Sequence, residues 1–96
     1  MSATTFSAFS AAPYRPATAM LVRRRIATYF VGGIEQIPGL VAELAQHGKV
    51  HELSVDVREG VRESSLVCTV LVDAEALETL LDDLRAREAV VSAELA

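Results

Sequence analysis

The apolar positions of this chain recur with two different periods, and the switches between them mark its elements. From Leu21 to Val31 the residues are β-branched or aromatic often enough to read as a strand, which Gly32-Gly33 ends. Pro38 fits only the first turn of a helix, so a helix is expected to open near it. Ile37, Leu40, Val41, Leu44 and Ala45 then recur at helical spacing, and Gly48 is a natural stop. Next, Leu53, Val55 and Val57 alternate with Glu52, Ser54, Asp56 and Arg58, the pattern of a strand buried on one face. Glu59-Gly60 supplies a turn. Leu66 to Val72 is almost continuously apolar, as in a central strand covered on both sides. Asp73 is placed to cap a second helix, whose Leu77, Leu80, Leu81 and Leu84 form one stripe opposite Glu78, Asp82, Asp83 and Arg85. Val90 to Leu95 closes the chain as a fourth strand.

The order β-α-β-β-α-β, with short connections and right-handed crossovers, predicts an α+β ferredoxin-like sandwich: a four-stranded antiparallel sheet with two helices on one face. Ile26, Phe30, Leu53, Val55, Val57, Leu66, Cys68, Val70, Val72, Val91 and Leu95 are expected to face the helices. Val67, Thr69 and Leu71 then face outward, with Ala27, Tyr29 and Val31 beside them, and the second strand lies at an edge. An apolar outer face and an unpaired edge both suit a two-fold homodimer. The other possible cover for that face is the N-terminal segment, through Phe6, Phe9 and Tyr14.

Residues 1–19 are Ser, Thr, Ala and Pro with scattered aromatics and no period, and are expected to form a disordered arm ahead of one domain spanning 20–96. The arm lacks the charged and apolar regions of a secretory signal, although its low acidity and many hydroxyls also suit a transit peptide. Whether it is a targeting segment stays open. The apolar fraction of 51% supports a packed core. The single cysteine, Cys68, excludes an internal disulfide and points to a reducing, cytoplasmic setting. Charge is uneven: residues 1–34 carry +4 and residues 35–96 carry −8, for a net −4. An acidic body is poorly suited to nucleic acid or an anionic membrane.

The candidate chemistry is sparse. The chain has no Asn, which removes acylphosphatase-like hydrolysis, and no Cys-x-x-Cys loop for a heavy-metal carrier. The segment from Leu66 to Val72 carries no aromatic for stacking RNA bases, and Gly32 to Gly39 has no Gly-Lys-Ser/Thr phosphate loop. His47 and His51 are four apart, but Gly48 between them puts one at a helix end and the other on a strand. Cys68 in an apolar strand reads as a core side chain, and Ser64-Ser65 match no nucleophile elbow. The triple arginine at 23–25 reads as solvated strand-edge charge, with contact to an anion or partner as the other possibility. No catalytic residue, metal site or cofactor is expected. What remains is the loop after the first strand. Gly32 and Gly33 let backbone approach a ligand, the N–H groups opening the next helix favour a carboxylate, and Gln36 offers an amide.

The segment Gln36-Ile37-Pro38-Gly39-Leu40-Val41-Ala42-Glu43-Leu44, following a strand and opening a helix that stops at Gly48, resembles the start of an ACT domain. Those domains usually carry Asp or Asn where Gln36 stands, and Gly32 to Glu35 lengthen the loop here. The resemblance covers residues 21–96. It implies a non-catalytic regulatory module, commonly dimeric, that binds an amino acid near the first loop, here through Gly32, Gly33, Gln36 and Gly39. Single ACT domains of this length are similar to the small regulatory subunits of acetolactate synthase, which act on a separate enzyme chain. The outline also resembles the ligand-sensing domain of Lrp/AsnC-type regulators and the tail domain of MgtC-type proteins. Some ACT-like domains bind no small molecule and serve only for association, and both readings stay open.

Overall fold

The computed structural model describes residues 20–59 and 62–96, so the expected arm at 1–19 and the turn residue Gly60 lie outside the described residues. The elements are β1 (Val22–Phe30), α1 (Ile37–His47), β2 (Lys49–Asp56), β3 (Ser64–Val72), α2 (Ala74–Arg85) and β4 (Val90–Leu95), with a 3-10 turn at Gly33–Gln36 ahead of α1. The strands form one antiparallel-paired sheet in the order β2-β3-β1-β4, the ferredoxin-like arrangement expected. Among the described residues, no helix is long and apolar enough to cross a membrane.

Each element forms for a local reason. Pro38 sits in the first turn of α1, where its missing N–H is not needed. The Asp73 carboxylate accepts a hydrogen bond from the Ala76 N–H at 2.8 Å and caps α2. Ser64 closes the β2–β3 connection, its hydroxyl accepting from the Arg58 N–H at 2.7 Å and donating to the Arg58 carbonyl at 3.2 Å. Arg85 ties the end of α2 to β4 by donating from Nε to the Ala93 carbonyl at 2.8 Å.

The core lies between sheet and helices. Ile26, Phe30, Leu66, Cys68, Val70 and Val72 from the sheet meet Leu40 and Leu44 of α1 and Leu77, Leu80 and Leu84 of α2. Thr28 is fully buried between Ile26 and Phe30, and among the described residues its hydroxyl is the one buried side-chain polar atom without a hydrogen-bond partner.

Two bulges correct the expected inner face. In β2 the register shifts at Glu52, whose φ is +46°, so Val50 and Leu53 share one face although an odd number of positions separates them. Leu53 and Val55 pair with Cys68 and Leu66, which puts them on the expected inner face, yet Leu53, Val55 and Val57 remain partly exposed along this edge strand. In β4 the register shifts so that Phe30 meets Val90, and Val90, not Val91, packs on the core; Val91 is 54% exposed. Leu95 is on the inner side opposite Ile26 but is also largely exposed.

The outer face carries the residues expected there, Val67, Thr69 and Leu71 of β3 with Ala27 and Tyr29 of β1. Ala27 and Thr69 are buried there, while Tyr29, Val67 and Leu71 are half-buried. The register sets Arg23 and Arg25 of β1 and Lys49 and His51 of β2 on this face around Thr69 and Leu71, so the apolar centre has a basic rim. Val31 lies beyond β1, its N–H bonded to the Ala89 carbonyl at 2.9 Å.

Gly48 ends α1 where expected, but not in the left-handed conformation common at helix ends. Its backbone is extended, and a Cβ there would lie 2.8 Å from the Leu71 carbonyl oxygen and 3.2 Å from the Val72 Cβ. This glycine is required for room.

Candidate functional site

β1 delivers the chain to the end of the sheet, and Gly32 and Gly33 turn it back toward the helices with φ of +104° and +76°. A left-handed pair of this kind costs an ordinary residue about 1–2 kcal/mol at each position. The 3-10 turn that follows folds the Gln36 side chain onto Gly32, so close that a Cβ on Gly32 would lie 3.0 Å from the Gln36 amide nitrogen.

Gly32 and Gln36 line an open cleft of about 530 Å³ together with Val31, Arg87, Glu88 and Ala89. The last three come from the connection between α2 and β4, so two loops distant in sequence form one site at the same end of the sheet. Gly33 lies instead in an adjoining cleft with Ile34, Glu35, Val57 and Glu59, which Gly32 shares. Gly39 lies under Arg87: a Cβ there would meet the guanidinium Nη2 at 2.5 Å. Of the four residues expected at the site, Gly32 and Gln36 share the main cleft, Gly39 seats its arginine, and Gly33 turns the chain beside it.

Arg87 is the residue sequence reasoning missed. Its Nη1 donates to Glu43 Oε1 of α1 at 2.8 Å, and a charge-assisted bond of this kind holds the fork in place across the helix pair. The cleft therefore brings together Arg87, whose guanidinium is bonded to Glu43, the exposed Glu88 and Gln36. No local pattern in the sequence joins Gly39 to Arg87, because their contact is made across the fold between α1 and the loop after α2.

The two histidines separate as the intervening glycine implied. His51 faces the outer side of the sheet opposite Thr69. His47 points to the seam between the helices, where its Nε2 lies 2.9 Å from Asp83 Oδ2 and 3.5 Å from Glu43 Oε2. Cys68 is almost wholly inaccessible, and burial pushes its thiol up from 9.0 to about 11, so it is protonated and inert at neutral pH.

No protein-family model and no curated protein matches the sequence. The structure, by contrast, is similar to the ACT domain of a GTP pyrophosphokinase of Chlorobium tepidum, with a TM-score of 0.70 and 14% identity over 80% of this chain and 100% of that one. It is also similar to the C-terminal domain of the MgtC protein of Mycobacterium tuberculosis, with a TM-score of 0.62 and 11% identity over 85% of this chain and 92% of that one. The fold is that of an ACT domain.

Proposed function

We propose that this chain is a regulatory module that binds a small amino acid in the cleft between the β1–α1 and α2–β4 loops and acts on a partner enzyme. The observation that carries this reading is the pairing of Arg87 and Glu88 with Gln36 in one cleft. Opposite charges on adjacent residues suit the two ends of a zwitterion, and the guanidinium is already oriented by Glu43. The ACT-like fold supports the class.

Calorimetry against each of the twenty amino acids tests this directly. Binding by one or a few is expected, and Arg87→Ala and Gly39→Leu, which remove or unseat the guanidinium, should abolish it. Absence of heat and of thermal shift with all twenty overturns the reading.

A second reading, association without a ligand, is favoured by the row Leu53, Val55 and Val57, which stays partly exposed along the unpaired edge of β2. A second copy meeting this edge would cover the row and satisfy the strand's free backbone groups. Light scattering that shows a monomer at every concentration removes this reading. A dimer that Val55→Lys splits supports it, and also supports a dimeric form of the regulatory module.

A further inference from the structure

We propose that Glu43, His47 and Asp83 form a binding site for a first-row divalent metal ion of the zinc type, bridging α1 and α2. Glu43 and His47 are four apart on α1, so their side chains lie on one face one turn apart. Asp83 comes from the facing helix α2. One ligand atom from each, Nε2 of the imidazole and an oxygen of each carboxylate, falls within 4.8 Å of the other two. The imidazole nitrogen is 2.9 Å from Asp83 Oδ2 and 3.5 Å from Glu43 Oε2. Ligand atoms on a tetrahedral zinc ion at 2.0–2.1 Å sit about 3.3 Å apart, within the range these two separations span.

Two carboxylate oxygens converge on one imidazole nitrogen: Asp83 Oδ2 at hydrogen-bond distance, 2.9 Å, and Glu43 Oε2 at 3.5 Å. A metal ion accepts lone pairs from all three groups at once. Glu43 and His47 are mostly buried and Asp83 is half-exposed, which leaves the open side for water as a fourth ligand. The second oxygen of Glu43 is held by Arg87 at 2.8 Å, fixing the carboxylate plane with its other oxygen toward the imidazole. One nitrogen and two oxygens suit zinc, cobalt or nickel; magnesium prefers an all-oxygen octahedron with several waters. The site ties two helices that otherwise meet through leucines, so loading it stabilises the folded form.

The test uses the full chain, freed of metal with a chelator, titrated with zinc chloride and followed by calorimetry and thermal unfolding. Cobalt chloride replaces zinc for visible absorption. One equivalent is expected to bind, to raise the melting temperature by several degrees and, with cobalt, to give a visible band. His47→Ala and Asp83→Asn should each lower affinity at least tenfold, while His51→Ala leaves it unchanged and magnesium has no effect. Asp83→Asn, half-exposed and nearly isosteric, covers the case in which His47→Ala unfolds. Zinc binding that survives both variants, or no binding at micromolar zinc, overturns the proposal. The titration is made without any amino acid, and neither His47 nor Asp83 lines the amino-acid cleft, so its outcome is read separately from that of the cleft.

Discussion

Gly48→Ala isolates a steric requirement from a conformational one. The extended backbone at Gly48 is open to any residue, so a dihedral argument predicts no loss. Alanine would even gain about 0.4–1 kcal/mol by restricting the unfolded chain. Against this, the new Cβ would stand 2.8 Å from the Leu71 carbonyl oxygen, closer than carbon and oxygen tolerate. The obstacle is backbone of the central strand β3, pinned from both sides by its pairing to β1 and β2, and not the end of a flexible side chain. Overpacking of this kind costs about 1–3 kcal/mol. The net loss should be about 1–2 kcal/mol, or roughly 5–15 °C in melting temperature for a domain of this size. Gly33 is the contrast: φ is +76° and nothing lies within 4 Å, so the cost there is conformational. Asparagine tolerates that region better than alanine. Urea unfolding should therefore rank Gly33→Asn above Gly33→Ala, but Gly48→Asn below Gly48→Ala. An alanine at 48 as stable as the parent, or an asparagine that rescues it, would refute the reasoning.

Thr28→Val replaces a buried hydroxyl that has no partner with a methyl of similar size, and should stabilise the domain by about 1 kcal/mol in urea unfolding; a loss of stability would mean that the hydroxyl is bonded. Cys68 holds its proton more tightly when folded, so the stability of the parent relative to Cys68→Val is constant below pH 9 and falls as pH rises from 9 to 11, by up to about 3 kcal/mol. Parallel profiles of the two proteins across that range would contradict the buried, raised thiol.

The elements were legible because each has its own period: the leucines of α2, the apolar run of β3 and Pro38 at the start of α1 all report local structure. The bulges were not. Val50 and Leu53 share a face only because Glu52 is an extra residue against β3, and Val90 replaces Val91 only because of the shift against Phe30. Both depend on which partner a strand meets, and alternation within one strand holds no trace of it. The site divides in the same way. Gly32, Gly33 and Gln36 announce a turn and a helix start, while Arg87 gains its meaning from seating over Gly39, 48 positions away. His47 was visible as a possible ligand, but sequence proximity suggested His51 as its companion. The helix period joins it to Glu43 instead, and the packing of α2 supplies Asp83.

Glu43 is shared between the two proposed sites, which makes Arg87→Gln informative about both. Its Oε1 accepts from Arg87, and its Oε2 faces His47. The guanidinium fixes the carboxylate, which helps a metal ion, but it also sets a positive charge beside the cation, which opposes it. Glu43 is already mostly buried on a helix, so the lost restraint is about one hydrogen bond, or ~1 kcal/mol. Repulsion between a single and a double charge about 5 Å apart is about 2–7 kcal/mol as the effective dielectric falls from 80 to 20. Charge wins, and zinc should bind severalfold more tightly to Arg87→Gln than to the parent, with a gain that shrinks as salt rises. The same variant should lose its amino acid. Linkage then requires that a carboxylate drawing Arg87 away, or neutralising it, strengthens zinc binding, and that zinc strengthens the carboxylate by the same factor. Calorimetric titration of zinc into both proteins at low and high salt decides the sign. Weaker zinc binding in Arg87→Gln, unchanged by salt, would mean that the arginine serves the metal site by positioning Glu43 and that the two sites are coupled in the opposite sense.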